Sequence, residues 1–312
     1  MRQAQSVGIN LTAKCNATCA HCCVESSPRN AAALEDDQVD RIVEDLIAHP
    51  DVREVGFTGG EPLLRRERFL RLVRRVTDAG LTATCVTNGF WAITPKAAAS
   101  TFRELEEVGL SSLTVSFDDF HAPFVPVKRI RNALDAAARS SVPTILNMAV
   151  SRSQDSMDLL RELGESTLGV RVTRFPVQQC GTGRAIPVED LFRKPLEELS
   201  LHCPGFEVIY HHDQKVYPCC SPPIFDTDMT LGEVGETDHE GFTRRLERNA
   251  LLAVVQRHGL GWFVERIRAL APESEVARME SAVSACDVCA AVMSDHESLG
   301  ALRHEIVAAA TA

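Results

Sequence analysis

The sequence predicts an α/β fold: a partial (β/α)6 barrel of the TIM type, followed by a small region made of a hairpin and helices. Two observations carry this. Residues 1–176 alternate short apolar, strand-like runs with helix-length amphipathic segments, and six such strands occur. Alternation of that kind means parallel strands joined by right-handed crossovers. The pattern then changes after Gly181-Thr182-Gly183-Arg184, which divides the chain into residues 1–180 and 181–312.

Each element has a local reason. Val7–Leu11 is a short apolar strand running into a cysteine-bearing loop. Residues 35–48 set Val39, Ile42, Val43, Leu46 and Ile47 at helical spacing, one apolar stripe. Val55–Thr58 is the second strand, and Phe69, Leu70, Val73 and Val76 mark the face of the helix after it. Leu81–Thr87 is the third. Thr94 followed by Pro95 starts a helix, since the N–H that proline lacks is one the first turn leaves unbonded. Leu113–Phe117, Thr144–Val150 and Val170–Phe175 complete the six strands. Beyond residue 181, Glu207–Tyr210 and Lys215–Tyr217 alternate around His211-His212-Asp213-Gln214, a hairpin whose two histidines are expected in an exposed turn. Helical patterns over 242–257, 262–270 and 273–285 lead to Cys286-Asp287-Val288-Cys289 and a final helix from about residue 295.

Composition narrows the function. A chain of 312 residues holds one barrel-sized domain and an appendage. Its eleven cysteines, some at CxxC-type spacing, and the absence of a charged-then-apolar leader predict a reducing, cytoplasmic setting with metal ligation rather than disulfides. A net charge of −10 without a continuous Lys/Arg run argues against a nucleic-acid partner. No apolar stretch approaches the roughly 18 residues of a membrane span.

The densest chemistry is Cys15-Asn16-Ala17-Thr18-Cys19-Ala20-His21-Cys22, a C-x3-C-x2-C loop. Three soft thiolates on one loop suit an iron–sulfur cluster. Three rather than four would leave one iron of a 4Fe–4S cubane without a protein ligand, and an open position is where a metal centre does chemistry. A structural zinc loop, the competing use of such a trio, wants a nearby fourth ligand. On these residues the chain resembles the radical S-adenosylmethionine (SAM) superfamily, whose usual core is a partial barrel of six units. The resemblance implies that the open iron chelates SAM, which is cleaved to methionine and a 5′-deoxyadenosyl radical. It also implies an electron donor such as flavodoxin or ferredoxin. The residue before the third cysteine is usually an aromatic touching the adenine, and here it is His21.

A second motif, Gly59-Gly60-Glu61-Pro62, ends the second strand, where α/β barrels place catalytic groups. Two glycines let a backbone approach a ligand closely, and in the family this stretch binds the amino group of SAM. Asn88 after strand three, Ser116 and Asp118 after strand four, and Asn147 in strand five match positions that bond the ribose and carboxylate of SAM. Asn-Gly and Asp-Asp also simply begin turns, which is the plainer use of those residues.

The third constellation is Cys203, then Cys219 after the hairpin, then Cys286 and Cys289. Four thiolates satisfy a second 4Fe–4S cluster completely, and the arrangement resembles the twitch subdomain, the half-size relative of SPASM, with Gln214 where glycine is usual. Which of Cys219 and Cys220 is the ligand stays open, and a zinc ribbon uses the same residues. Of the cysteines left over, Cys85 lies in an apolar strand and reads as core, and Cys23 as shielded behind the first loop. Cys220 beside a predicted ligand and Cys180 past strand six are candidate hydrogen-atom donors to a carbon radical. His121, in Phe120-His121-Ala122-Pro123, is placed to approach the site from the strand-four loop.

Together these imply a radical SAM enzyme acting on a peptide, with Cα epimerisation from L to D in a ribosomally made precursor as the favoured outcome. Radical crosslinking of peptides, or dehydrogenation of an aminocyclitol-like small molecule, are the alternatives. With the barrel starting near residue 7, a peptide is expected to be gripped by the barrel mouth and C-terminal helices or delivered by a partner.

Overall fold

The computed structural model describes residues 5–311; the leaderless start expected above lies partly outside them. Six parallel strands form the barrel wall: β1 (Gln5–Asn10), β2 (Val52–Thr58), β3 (Thr82–Thr87), β4 (Ser112–Ser116), β5 (Thr144–Val150) and β6 (Arg171–Pro176). They pair in chain order, each parallel to the next, as the strand–helix alternation requires. The crossover helices are α1 (Asp36–Ala48), α2 (Arg66–Asp78), α3 (Pro95–Glu107), α4 (Val127–Ala137) and α5 (Met157–Leu163). The partial-barrel prediction holds, with strand boundaries shifted by a few residues at most.

The helix starts follow the sequence. Glu35 and Gln38 form a reciprocal capping box on α1, whose Val39, Ile42, Val43 and Leu46 are buried as their spacing predicted. Thr94 caps α3, its hydroxyl accepting from the Ala97 N–H at 3.1 Å. Arginines of α2 and of the turn before it clamp neighbouring helices: Arg65 and the buried Arg68 on Asp36, Arg71 and Arg75 on Asp40, and Arg66 on Glu104. Each exposed pair contributes little alone.

The second half departs from expectation in several places. β7 (Lys194–Pro195) precedes the hairpin of β8 (Ile209–Tyr210) and β9 (Lys215–Tyr217), and β10 (Gly232–Glu233) pairs with β9. β8 lies parallel to β1, Gly8 opposite Ile209, so the hairpin and β10 together extend the barrel sheet to nine strands. Gly8 permits the approach, for a Cβ there would strike the Ile209 side chain. His211 and His212 are therefore not exposed: the hairpin turn folds over β1, both rings are buried, and His212 Nδ1 lies 3.0 Å from Asn10 Oδ1.

The helix predicted over 242–257 is two helices, α6 (His239–Glu247) and α7 (Ala250–His258), because Asn249 turns out of the first and caps the second. α8 (Gly261–Leu270) matches. The 273–285 pattern shrinks to α9 (Glu275–Arg278) and β11 (Ser281–Ala282), the latter paired with β7. Cys286 and Cys289 then sit on α10 (Ala285–Ser294), one turn apart on a helix capped by Ser284. Short helices α11 (His296–Ala301) and α12 (Arg303–Thr311) follow. Leu252, Phe263, Val288 and Val292 form a second apolar core here, while Tyr210, Val216 and Phe242 join the barrel core. No helix among the described residues is long and apolar enough to cross a membrane.

Candidate active site

The C-terminal ends of the barrel strands converge on the loop after β1. Cys15 and Cys19 are buried, and the thiols of Cys15, Cys19 and Cys22 lie close enough to repel one another as thiolates. Burial pushes Cys15 up to about 11 and Cys19 higher still, as expected of protonated thiols that a metal would deprotonate on binding. Two N–H groups point at sulfurs of this loop: Ser26 N at 3.3 Å from Cys22 Sγ and Asn88 Nδ2 at 3.5 Å from Cys15 Sγ.

The Gly-Gly-Glu-Pro turn packs directly under this loop. Gly60 N–H bonds the Thr12 carbonyl, and Glu61 N–H bonds that of Lys14 at 3.0 Å. A Cβ on Gly59, whose φ is +150°, would lie 2.7 Å from the Thr12 carbonyl oxygen. One on Gly60 would fall 2.6 Å from the Lys14 carbonyl carbon. The glycines are thus fixed by the cluster loop itself, in addition to any ligand. Glu61 is fully buried, its carboxylate receiving the N–H groups of Leu63 (3.0 Å) and Asn88 (2.8 Å) and the Thr87 hydroxyl (2.9 Å). Burial lifts its carboxyl to about 7. Pro62 opens the short helical turn that Glu61 caps.

The loop after β6 closes the other side. The Thr182 hydroxyl donates to the carbonyls of Cys19 (3.1 Å) and Cys22 (3.0 Å). Gly181 comes so near Cys23 that a Cβ would be 2.7 Å from its carbonyl carbon. Cys180 is consequently buried behind the loop beside Cys23 and Asp226, not spread over the barrel mouth. Cys85 is buried in β3 as expected.

Not every candidate offers an open polar group. Asn88 spends its amide on Cys15 and on Asn16 Oδ1 (2.9 Å), and its carbonyl on Phe90 N–H (3.0 Å). Asn147 accepts from the Thr173 hydroxyl, and Ser116, the last residue of β4, is half-buried opposite it. Asp118 is buried and accepts from the N–H groups of Phe120, His121 and Ala149 and from His121 Nδ1 at 2.8 Å. Burial raises its pKa, but the His121 contact and the N–H groups outweigh this and hold it below the usual carboxylate range. His21 stacks on Phe120 with ring centroids 4.6 Å apart, and burial lowers it to about 4, leaving a neutral flat ring.

In the second half, Cys203, Cys219, Cys286 and Cys289 converge. Cys219 senses the other three as charges, and Cys289 senses Cys203 and Cys286. Burial pushes Cys219 and Cys289 up to about 12. Cys220 turns elsewhere. Although the residue as a whole is exposed, burial of its thiol and, after that, the nearby Glu207 carboxylate raise it far above an ordinary cysteine. Sequence reasoning missed Glu207: nothing in its position thirteen residues earlier marks it, and the hairpin alone brings it to Cys220.

A parallel barrel with three converging thiols and a glycine-built turn at its strand ends defines an enzyme that works through a metal cluster at the barrel mouth. The model of the radical SAM superfamily matches residues 9–171, and the chain belongs to that superfamily. Membership implies SAM and a 4Fe–4S cluster as cofactors, and the residues fit them: thiols gathered in one buried loop, N–H groups on sulfur, and a turn that admits no side chain. The chain is 33% identical over 299 residues, 95% of its length and 94% of the relative's, to YydG of Bacillus subtilis (strain 168), named for peptide biosynthesis. It is 30% identical over 198 residues to a GTP 3′,8-cyclase of Rhodopirellula baltica, half of whose length it spans. Among solved structures it shares the fold of anSMEcpe with bound AdoMet and Cp18Cys peptide, at TM-score 0.58, 13% identity and 99% of both chains. BtrN in complex with AdoMet and 2-DOIA follows at TM-score 0.52 and 15% identity, over 84% of this chain and 90% of that one.

Proposed function

We propose that the protein is a peptide-modifying radical SAM enzyme that inverts α-carbons from L to D, with Cys220 as hydrogen-atom donor. The barrel, residues 1–180, would hold SAM and its cluster on Cys15, Cys19 and Cys22, with Gly59, Gly60, Glu61 and Pro62 shaping the SAM site. Residues 181–312 would hold a second 4Fe–4S cluster on Cys203, Cys219, Cys286 and Cys289, in the manner of a twitch subdomain. The name of the Bacillus relative supports a peptide substrate.

The observation that carries the epimerase reading is a spare thiol, Cys220, next in the chain to Cys219, which lies among the other three converging thiols. Bound together, cluster and SAM supply a 5′-deoxyadenosyl radical able to remove a hydrogen atom from an unactivated carbon. The substrate carbon radical must then receive a hydrogen from the opposite face. A thiol can give one only as S–H, since a thiolate has none, and burial, with Glu207 adding to it, keeps Cys220 in the S–H form. Donation breaks S–H, forms the inverted C–H and leaves a sulfur radical. One electron from an external donor such as flavodoxin or ferredoxin and one proton restore the thiol. In this reading Cys219, which lies among Cys203, Cys286 and Cys289, is the ligand, and Cys220 is free to donate. Crosslinking or dehydrogenation would use the same cluster cysteines but needs no donor thiol.

The test is turnover in deuterated water with a candidate precursor peptide. An epimerase places one solvent deuterium on each inverted α-carbon, because S–H exchanges with water. Cys220→Ala should still form 5′-deoxyadenosine but no D-residue. Product two mass units lighter, without deuterium, would assign an oxidation instead.

A further inference from the structure

We propose that Phe175 seats the substrate inside the barrel, its ring receiving an apolar side chain of the peptide residue presented to SAM. The proposal rests on the peptide-modifying reading and adds to it the residue that grips the chain.

Side chains along a barrel strand alternate between the helices and the lumen. Cys85 of β3, Val115 of β4 and Met148 of β5 belong to the core under the helices, and Val172 of β6 packs against it. Thr84, Thr114, Ser116, Asn147 and Thr173 therefore face the lumen, and so does Phe175. The two last strands agree on this side, for the Thr173 hydroxyl donates to Asn147. Phe175 lies opposite Ala149 in the parallel register. Ala149 and Val177, two residues beyond Phe175, share one apolar group with Cys15 and Cys19. Two residues of strand span roughly 7 Å, so the ring stands one such step below the loop that would hold the cluster.

Closed α/β barrels fill their interior with bulky branched side chains. Here the five inward residues named before Phe175 are threonine, serine or asparagine, and all are half-buried. Solvent therefore reaches the lumen. Phe175 is 46% exposed there, and Val86, inward on β3, is 38% exposed. A ring left in water on an inward face is stabilised only when apolar surface covers it. The hydroxyl and amide groups around it suit the polar parts of SAM, which leaves the ring to an apolar group of the substrate. β6 is the last strand of the sheet, so Phe175 lies at its margin, where an extended chain can enter. A side chain held on the ring fixes which face of its own α-carbon is turned towards SAM.

The experiment uses the full-length, iron-reconstituted protein with SAM and a candidate precursor peptide. Phe175→Ala should load iron and bind SAM as wild type does, but raise the KM for the peptide roughly tenfold or more. Phe175→Tyr, which keeps the ring, should restore most of that loss. Phe175→Thr, a better strand former, takes the place of the alanine variant if that fails to load iron. Replacing the modified peptide residue by Ser should raise KM for wild type and add little in Phe175→Ala, because both changes remove one contact. A peptide KM within about twofold of wild type overturns the proposal, as does full additivity of the two replacements. So does a weakened SAM affinity, which would set the ring against SAM, or an altered oligomeric state, which would make it a contact between copies. Wild type that cleaves SAM but leaves the peptide unmodified overturns the peptide reading, and this proposal with it. An active wild type and an unaffected Phe175→Ala overturn this proposal alone.

Discussion

Gly60 offers the sharpest test of how the barrel mouth is built. In Gly60→Ala, the new methyl group would stand 2.6 Å from the Lys14 carbonyl carbon and 2.9 Å from that of Ala13. Both are backbone atoms, so no side chain can rotate away. The turn must lift off the cluster loop, breaking the bonds from Gly60 N–H to Thr12 and from Glu61 N–H to Lys14. Two backbone hydrogen bonds contribute about 1 kcal/mol each, and overpacking adds roughly 1–3 kcal/mol. The expected loss is therefore about 3–5 kcal/mol, read as a shift in urea unfolding of the metal-free protein. Reconstituted iron in the barrel site should fall in parallel. Gly300→Ala is the control: nothing lies within 4 Å of its added Cβ in α11, and replacing a helical glycine should stabilise by up to about 1 kcal/mol. Gly60→Ala within about 1 kcal/mol of wild type, with full iron, would refute the close-approach reasoning.

Glu61 should make stability depend on pH. Its pKa is raised from 4.5 to about 7, so its contribution is fully present below about pH 4.5 and is lost as pH rises towards 7. Wild type should therefore lose up to about 3 kcal/mol relative to Glu61→Gln across that window, measured as the difference in denaturation midpoints at the two ends. Asn88→Leu removes an N–H bond to the Cys15 sulfur. It should shift the barrel cluster to a more negative midpoint potential in an EPR-monitored titration, whereas an unchanged potential would show that the contact is lost in the loaded protein. Joint replacement of Cys203, Cys219, Cys286 and Cys289 by Ala should halve the iron while leaving uncoupled SAM cleavage. Full iron content would refute the second cluster.

Much of this protein was legible in its sequence because the determining patterns are local. Strand–helix alternation with short connections leaves parallel pairing in chain order as the natural solution, and β1 to β6 adopt it. Thr94-Pro95 started a helix, and the spacing of Cys15, Cys19 and Cys22 alone pointed to a cluster loop. Local pattern also had limits. The run over 242–257 looked continuous until Asn249 was seen to cap a new helix, and Cys286 and Cys289 belonged to a helix that periodicity did not mark.

What the tertiary structure decided are contacts between residues far apart in the chain. Register against β1 turned His211 and His212 inward, although a polar turn reads as exposed. Asn88, a candidate for SAM by position, aims its amide at Cys15, 73 residues away. Cys180 was drawn behind the cluster loop by the Thr182 and Gly181 contacts, and Cys220 was set against Glu207 by the hairpin. The sequence by itself determined which chemistry the chain can perform, because ligand type and spacing are properties of a few adjacent residues. The fold decided where the spare thiols lie and that His21 stacks on Phe120, because those depend on partners that only a closed barrel and a docked hairpin bring together.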